Sequence, residues 1–105
     1  MEDALSALTG SFTSSTQSNA FVPGVGQRST TNAFNITLSN TFTATVALER
    51  QFPNTSAWYP VTYPDGTAVA WTTPVSTSWE DPEQGVSYRL NCTYTSGTVD
   101  YRISQ

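Results

Sequence analysis

From Gly85 to Ile103 large residues occupy every second position: Val86, Tyr88, Leu90, Cys92 and Tyr94, then Val99, Tyr101 and Ile103. Ser87, Arg89, Asn91 and Thr93 fall between them. Alternate side chains of a strand point to opposite faces, so this pattern prescribes one buried and one wet face. Thr95-Ser96-Gly97 interrupts it, and a loop closing on a glycine with positive φ suits a β-hairpin. The C-terminal fifth of the chain is therefore expected to be a hairpin in an antiparallel domain.

The same alternation recurs upstream. Phe34, Ile36 and Leu38 alternate with Asn35, Thr37 and Ser39, and Ser39-Asn40 marks a turn. Phe42, Ala44, Val46 and Leu48 follow in the same phase, as the expected hairpin partner. Pro53-Asn54 ends that strand. A third, aromatic strand is expected over 57–63, placed at an edge by Pro60. Pro64-Asp65-Gly66 is a turn, because Pro fixes φ and Gly admits positive φ. A fourth strand is expected over 67–73 and a short fifth at Thr77-Ser78-Trp79. About seven short strands with turns every 8–12 residues describe an all-β fold, an antiparallel β-sandwich of immunoglobulin-like or jelly-roll-like kind.

The first third reads differently. Residues 2–8 could form one helical turn, too short to stand alone in water. Between Thr9 and Thr31 the only large apolar side chains are Phe12, Phe21, Val22 and Val25. Residues 1–31 are read as an extended N-terminal arm ordered by a partner, and residues 32–105 as the β-sandwich domain.

Composition narrows the chemistry. Of 105 residues, 31 are Ser or Thr, and there is no Lys and no His. The missing histidine removes the commonest general base and metal ligand. The missing lysine removes Schiff-base chemistry and a phosphate-loop cation. The cations are Arg28, Arg50, Arg89 and Arg102, and a net charge of −4 argues against a nucleic-acid partner. No apolar run approaches the roughly 20 residues of a membrane-spanning helix, and no signal peptide is expected. One cysteine, Cys92, sits in phase with the apolar face and reads as a small buried hydrophobe.

Three features invite functional readings. Glu80, Asp81 and Glu83 could hold Ca²⁺, but they lack the spacing and glycine of an EF-hand and read better as a solvated loop. Trp58, Tyr59, Tyr63, Trp71 and Trp79 could form a sugar-stacking platform, or divide between core and a protein interface. Asn35, Asn54 and Asn91 head glycosylation sequons that chance explains in so hydroxyl-rich a chain. The acid, Gly and Tyr ahead of Cys92 depart from an immunoglobulin tyrosine corner, because Tyr88 and Cys92 are four positions apart and no second cysteine exists. No nucleophile, base and orienting group assemble from these residues, so no catalytic residue, metal or cofactor is expected.

Several short segments also carry a family resemblance. They are Val46-Ala47-Leu48-Glu49-Arg50, Trp58 and Val61 after a polar turn, Asp65-Gly66-Thr67, Gly85-Val86-Ser87-Tyr88-Arg89-Leu90 and Thr95-Ser96-Gly97-Thr98-Val99. Through them the stretch from Phe34 to Gln105 resembles small β-sandwich structural proteins of tailed bacteriophages. The resemblance implies a non-enzymatic virion component with no catalytic residues to carry over. It is most like a capsid decoration (cement) protein, made in the host cytoplasm and sited on the capsid surface. Such a protein would bind the major capsid protein and stabilise the head. It would form a homo-oligomer, a trimer, and bind neither membrane nor nucleic acid. Tail, collar or fibre-attachment components share the sandwich, as do glycan- or receptor-binding modules. Partner contacts are expected at Phe12, Phe21 and Val22 in the arm and at Tyr59 and Trp79.

Overall fold

A computed structural model describes residues 7–23, 33–80, 83 and 85–105. Nine strands are present among them: β1 (Ala7–Phe12), β2 (Thr16–Gln17), β3 (Phe34–Ser39), β4 (Phe42–Gln51), β5 (Tyr59–Pro60), β6 (Ala70–Trp71), β7 (Val75–Trp79), β8 (Ser87–Gly97) and β9 (Val99–Ser104). They form two antiparallel sheets packed as a β-sandwich. The first sheet runs β1-β9-β3-β7; the second runs β2-β8-β4-β5, with β6 also paired to β4.

The alternating residues face each other between the sheets. Phe34, Ile36, Leu38, Val99 and Ile103 come from the first; Val46, Leu48, Tyr88, Leu90 and Cys92 come from the second. Each is nearly or fully buried, and at roughly 25 cal/mol per Å² such apolar burial is the main source of stability.

The two expected hairpins are corners instead. β3 pairs with β7 and β9, whereas β4 pairs with β8, β5 and β6, so the turn at Asn40 carries the chain from one sheet to the other. Likewise β8 and β9 belong to different sheets. Three such corners, at 13–15, 40–41 and 98, stack at one end of the sandwich. Asn40 and Gly97 take positive φ, 79° and 88°, to reverse the chain in so few residues. Thr98 N donates to Thr41 O at 3.0 Å, joining two corners. Asp100 ties in the third: Ser11 Oγ donates to its Oδ1 at 2.6 Å, and Asn40 Nδ2 donates to its Oδ2 at 3.1 Å.

The N-terminal segment also differs from expectation. Residues 7–23 are built into the sandwich rather than set apart from it. β1 pairs with β9 from Ala7↔Ser104 to Phe12↔Val99, and β2 extends the second sheet against β8. Ser18 N donates to Leu90 O at 2.9 Å and its Oγ accepts from Leu90 N at 2.9 Å, while Phe21 and Tyr88 exchange both backbone hydrogen bonds. The cause is apolar anchoring: two phenylalanines suffice to draw a polar segment onto a core with room for them. Most of the helical turn expected over 2–8, and arm residues 24–31, lie outside the described residues; Ala7 and Leu8 are strand.

The expected third and fourth strands are fragments of one broken edge. β5 leaves β4 after Val61, whose N donates to Leu48 O at 3.0 Å. The chain then makes an excursion closed by the Thr62↔Ala68 bridge. It returns at Val69, whose O accepts from Leu48 N at 2.9 Å and whose N donates to Val61 O at 2.8 Å. Val61 and Val69 are both buried, so the loop from 62 to 68 is pinned at its base.

Candidate interaction surface

The outer face of the second sheet carries a polar ladder across four chain segments. Arg89 Nε donates to Glu49 Oε1 at 2.7 Å, directly across the β4–β8 register. Asn91 Nδ2 donates to Glu49 Oε2 at 3.0 Å, and Gln17 Nε2 donates to Asn91 Oδ1 at 3.2 Å. On the other flank the Trp58 ring lies 4.4 Å from the Arg89 guanidinium carbon, a cation–π contact. Glu49 therefore accepts from two strand neighbours, and Arg89 is sandwiched between carboxylate and indole. The sequence gives no local signal for this ladder, because its members meet only through strand register.

Beyond the ladder, a shallow groove of about 300 Å³ is lined by Phe42, Thr43, Ala44, Thr45, Thr72, Thr93 and Thr95. It lies beside the register shift between Thr43 and Ala44, a β-bulge that bends β8. Tyr94 N is satisfied there by Ser15 Oγ at 2.9 Å. The groove offers hydroxyls and one aromatic ring but no charged side chain, so it suits neutral hydrogen-bonding partners.

The lateral side formed by β5, the 62–68 loop and β7 is aromatic. Among the described residues Tyr59 and Tyr63 are the large hydrophobic residues left most open, 48% and 45% exposed. Each is braced by a partly buried ring. Phe52 sits 5.9 Å from Tyr59, and Arg50 caps Phe52 at 5.0 Å; Trp79 meets Tyr63 edge-on at 6.0 Å. Trp79 packs on the core, and its indole Nε1–H is buried without a hydrogen-bond partner among the described residues.

Of the five residues expected to touch a partner, only Tyr59 stands open. Phe12 and Phe21 are corrected: at 2% and 5% exposure they are core residues. Phe12 stacks on Tyr101 at 4.6 Å, and Phe21 lies 5.9 Å from Phe34. Both face inward because strand pairing with β9 and β8 fixes their phase. Val22 and Trp79 are partly buried. The aromatic platform divides in the same way. Trp71 and Trp79 pack against the core, one face of Trp58 is covered by Arg89, and Tyr59 and Tyr63 are left open.

Titration behaviour is structural in origin. The Thr67 amide, donating to Asp65 at 2.8 Å, holds that carboxyl below its ordinary value. The Ser11 hydroxyl, then the Asn40 amide, does the same for Asp100. Burial raises the Cys92 thiol, which favours the inert neutral form. Among the described residues no three His, Cys, Asp or Glu side chains gather to hold a metal ion. Of the acidic loop, Glu80 and Glu83 are exposed, and Asp81 lies outside the described residues. No protein-family model, curated protein or solved structure matches the chain.

Proposed function

We propose that this chain is a non-enzymatic virion structural protein of the capsid-decoration kind, binding the major capsid protein through the lateral side that carries Tyr59 and Tyr63. The observation that supports this reading is the bracing of two half-exposed tyrosines on one edge. Interfaces favour tyrosine, whose large amphipathic ring orders at low entropic cost. Phe52 and Trp79 reduce that cost further by holding the rings before any partner arrives. The packing of Trp71 and Trp79 against the core weighs against a glycan platform, since flat sugar faces need free ring faces.

The test is the copy number of the chain in purified particles, by quantitative mass spectrometry against the shell protein. A simple ratio to the shell subunit supports lattice-wide decoration. A dozen or fewer copies moves the protein to the vertex or tail, and absence from particles overturns the virion reading. Tyr59→Ala with Tyr63→Ala should then reduce occupancy while leaving the folded sandwich intact. Unchanged occupancy would remove this side from the contact.

A further inference from the structure

The two sheets end differently. In the second sheet β2 is two residues long, and the opposite edge is broken between β5 and β6 with Pro60 within it. Short, broken or proline-bearing edges resist pairing with another chain. In the first sheet β7 is flanked by the 62–68 loop, whose Tyr63 lies against Trp79. Among the described residues the β1 edge has no such guard. Its six residues, Ala-Leu-Thr-Gly-Ser-Phe, include no charge and no proline, and among the described residues they pair only with β9.

We infer that β1 pairs antiparallel with β1 of a second copy, on a two-fold axis at Gly10, joining the two first sheets into one eight-stranded sheet. Charge complementarity across the outer face argues for this occupant, and strand register sets the axis. Antiparallel self-pairing keeps inner residues opposite inner residues only when the axis falls on a residue rather than between two. With Gly10 on the axis, Leu8 meets Phe12 of the second copy on the inner face, and Thr9 meets its Ser11 on the outer face. Thr9 lies opposite Arg102 and Ser11 opposite Asp100 within each chain. Each outer row therefore runs Arg102, Thr9, Ser11, Asp100 across the junction, with opposite charges at its ends. An axis at Thr9 would instead place Arg102 at both ends of one row and set Leu8 against Gly10.

Gly10 suits the axial position. A Cβ built there would meet the Tyr101 ring, with Cζ at 2.6 Å. The ring thus lies across the glycine and stacks on Phe12, shielding an edge that lacks a side chain of its own. The inferred junction leaves Tyr59 and Tyr63, on the opposite lateral side, free. It stands independently of the decoration reading, though it replaces the expected threefold association by a twofold one.

The test is sedimentation of the full chain across a concentration series, with Thr9→Lys, Thr9→Glu and Ser76→Lys variants checked for fold by circular dichroism. On the two-fold model the position-9 side chains of the two copies are diagonal neighbours, about 7–8 Å apart. Wild type should be a dimer, and T9K and T9E should each weaken it by about two- to fivefold through like-charge repulsion. An equimolar mixture of T9K and T9E should recover a heterodimer, because opposite charges then meet. S76K, on β7, should leave the dimer unchanged. A monomer or trimer for wild type, a failure of the mixture to recover, or loss of the dimer in S76K would each overturn the inference.

Discussion

Gly97 and Gly66 share nearly the same positive φ, +88° and +90°, in very different surroundings. Replacing each by Ala separates two costs that usually arrive together. An L-residue with positive φ costs about 1–2 kcal/mol. Against this, Ala restricts the unfolded chain and returns about 0.4–1 kcal/mol. A Cβ at Gly66 meets nothing within 4 Å, so Gly66→Ala should lose only the difference, about 0–1.6 kcal/mol. A Cβ at Gly97 meets the Thr41 carbonyl oxygen and lies 2.7 Å from Phe42 Cα. Both obstacles are backbone and cannot rotate aside. Relieving them moves the Asn40 corner and strains the Thr98 N to Thr41 O bond, which is 3.0 Å long. Overpacking of this kind adds about 1–3 kcal/mol, and a weakened hydrogen bond about 1 more. Gly97→Ala should therefore cost about 2–5.5 kcal/mol in all, a large share of the stability of a small domain. Urea unfolding followed by tryptophan fluorescence measures both variants on one scale. Equal losses for the two would refute the stacked-corner account, because only contact between corners distinguishes the sites.

Two further outcomes follow from the core and from the Asp100 clamp. Tyr88 is fully buried, 4.6 Å from the Phe34 ring, so Tyr88→Ala should cost about 3–5 kcal/mol in the same unfolding assay, and a loss under about 1 kcal/mol would remove it from the core. Asp100 has a lowered folded-state pKa, so its contribution is complete above the ordinary carboxylate value of 3.8 and is lost as pH falls through the lowered folded value. Thermal midpoints of wild type and Asp100→Asn should therefore differ at neutral pH and converge in acid, whereas a gap independent of pH would show that the clamp is not electrostatic.

The site was only partly legible in the sequence. Tyr59 could be placed at an edge because Pro60 cannot donate within a sheet interior. Tyr63 was visible as one aromatic among five, but its exposure depends on the loop excursion pinned by Val61 and Val69. The Gln17–Asn91–Glu49–Arg89–Trp58 ladder was invisible, since it depends on which strands become neighbours. Phe12 and Phe21 misled for the converse reason. Sparse apolar residues in a polar segment look alike whether they anchor to a partner or to the chain's own core.

The alternation of large and small side chains by itself determined that this chain is all-β, and which face of β3, β4, β8 and β9 is buried. Side-chain phase follows from local backbone geometry, so it is written residue by residue. The connections were decided by the tertiary structure. A hairpin and a corner between sheets bury the same alternating set, because the inward face of one sheet leads directly to the inward face of the other. Ser39-Asn40 and Thr95-Ser96-Gly97 therefore read as hairpin turns, while contact among three stacked corners, tied through Thr41, Thr98 and Asp100, makes them sheet crossings. That choice rests on packing between segments far apart in the chain, which no local pattern records.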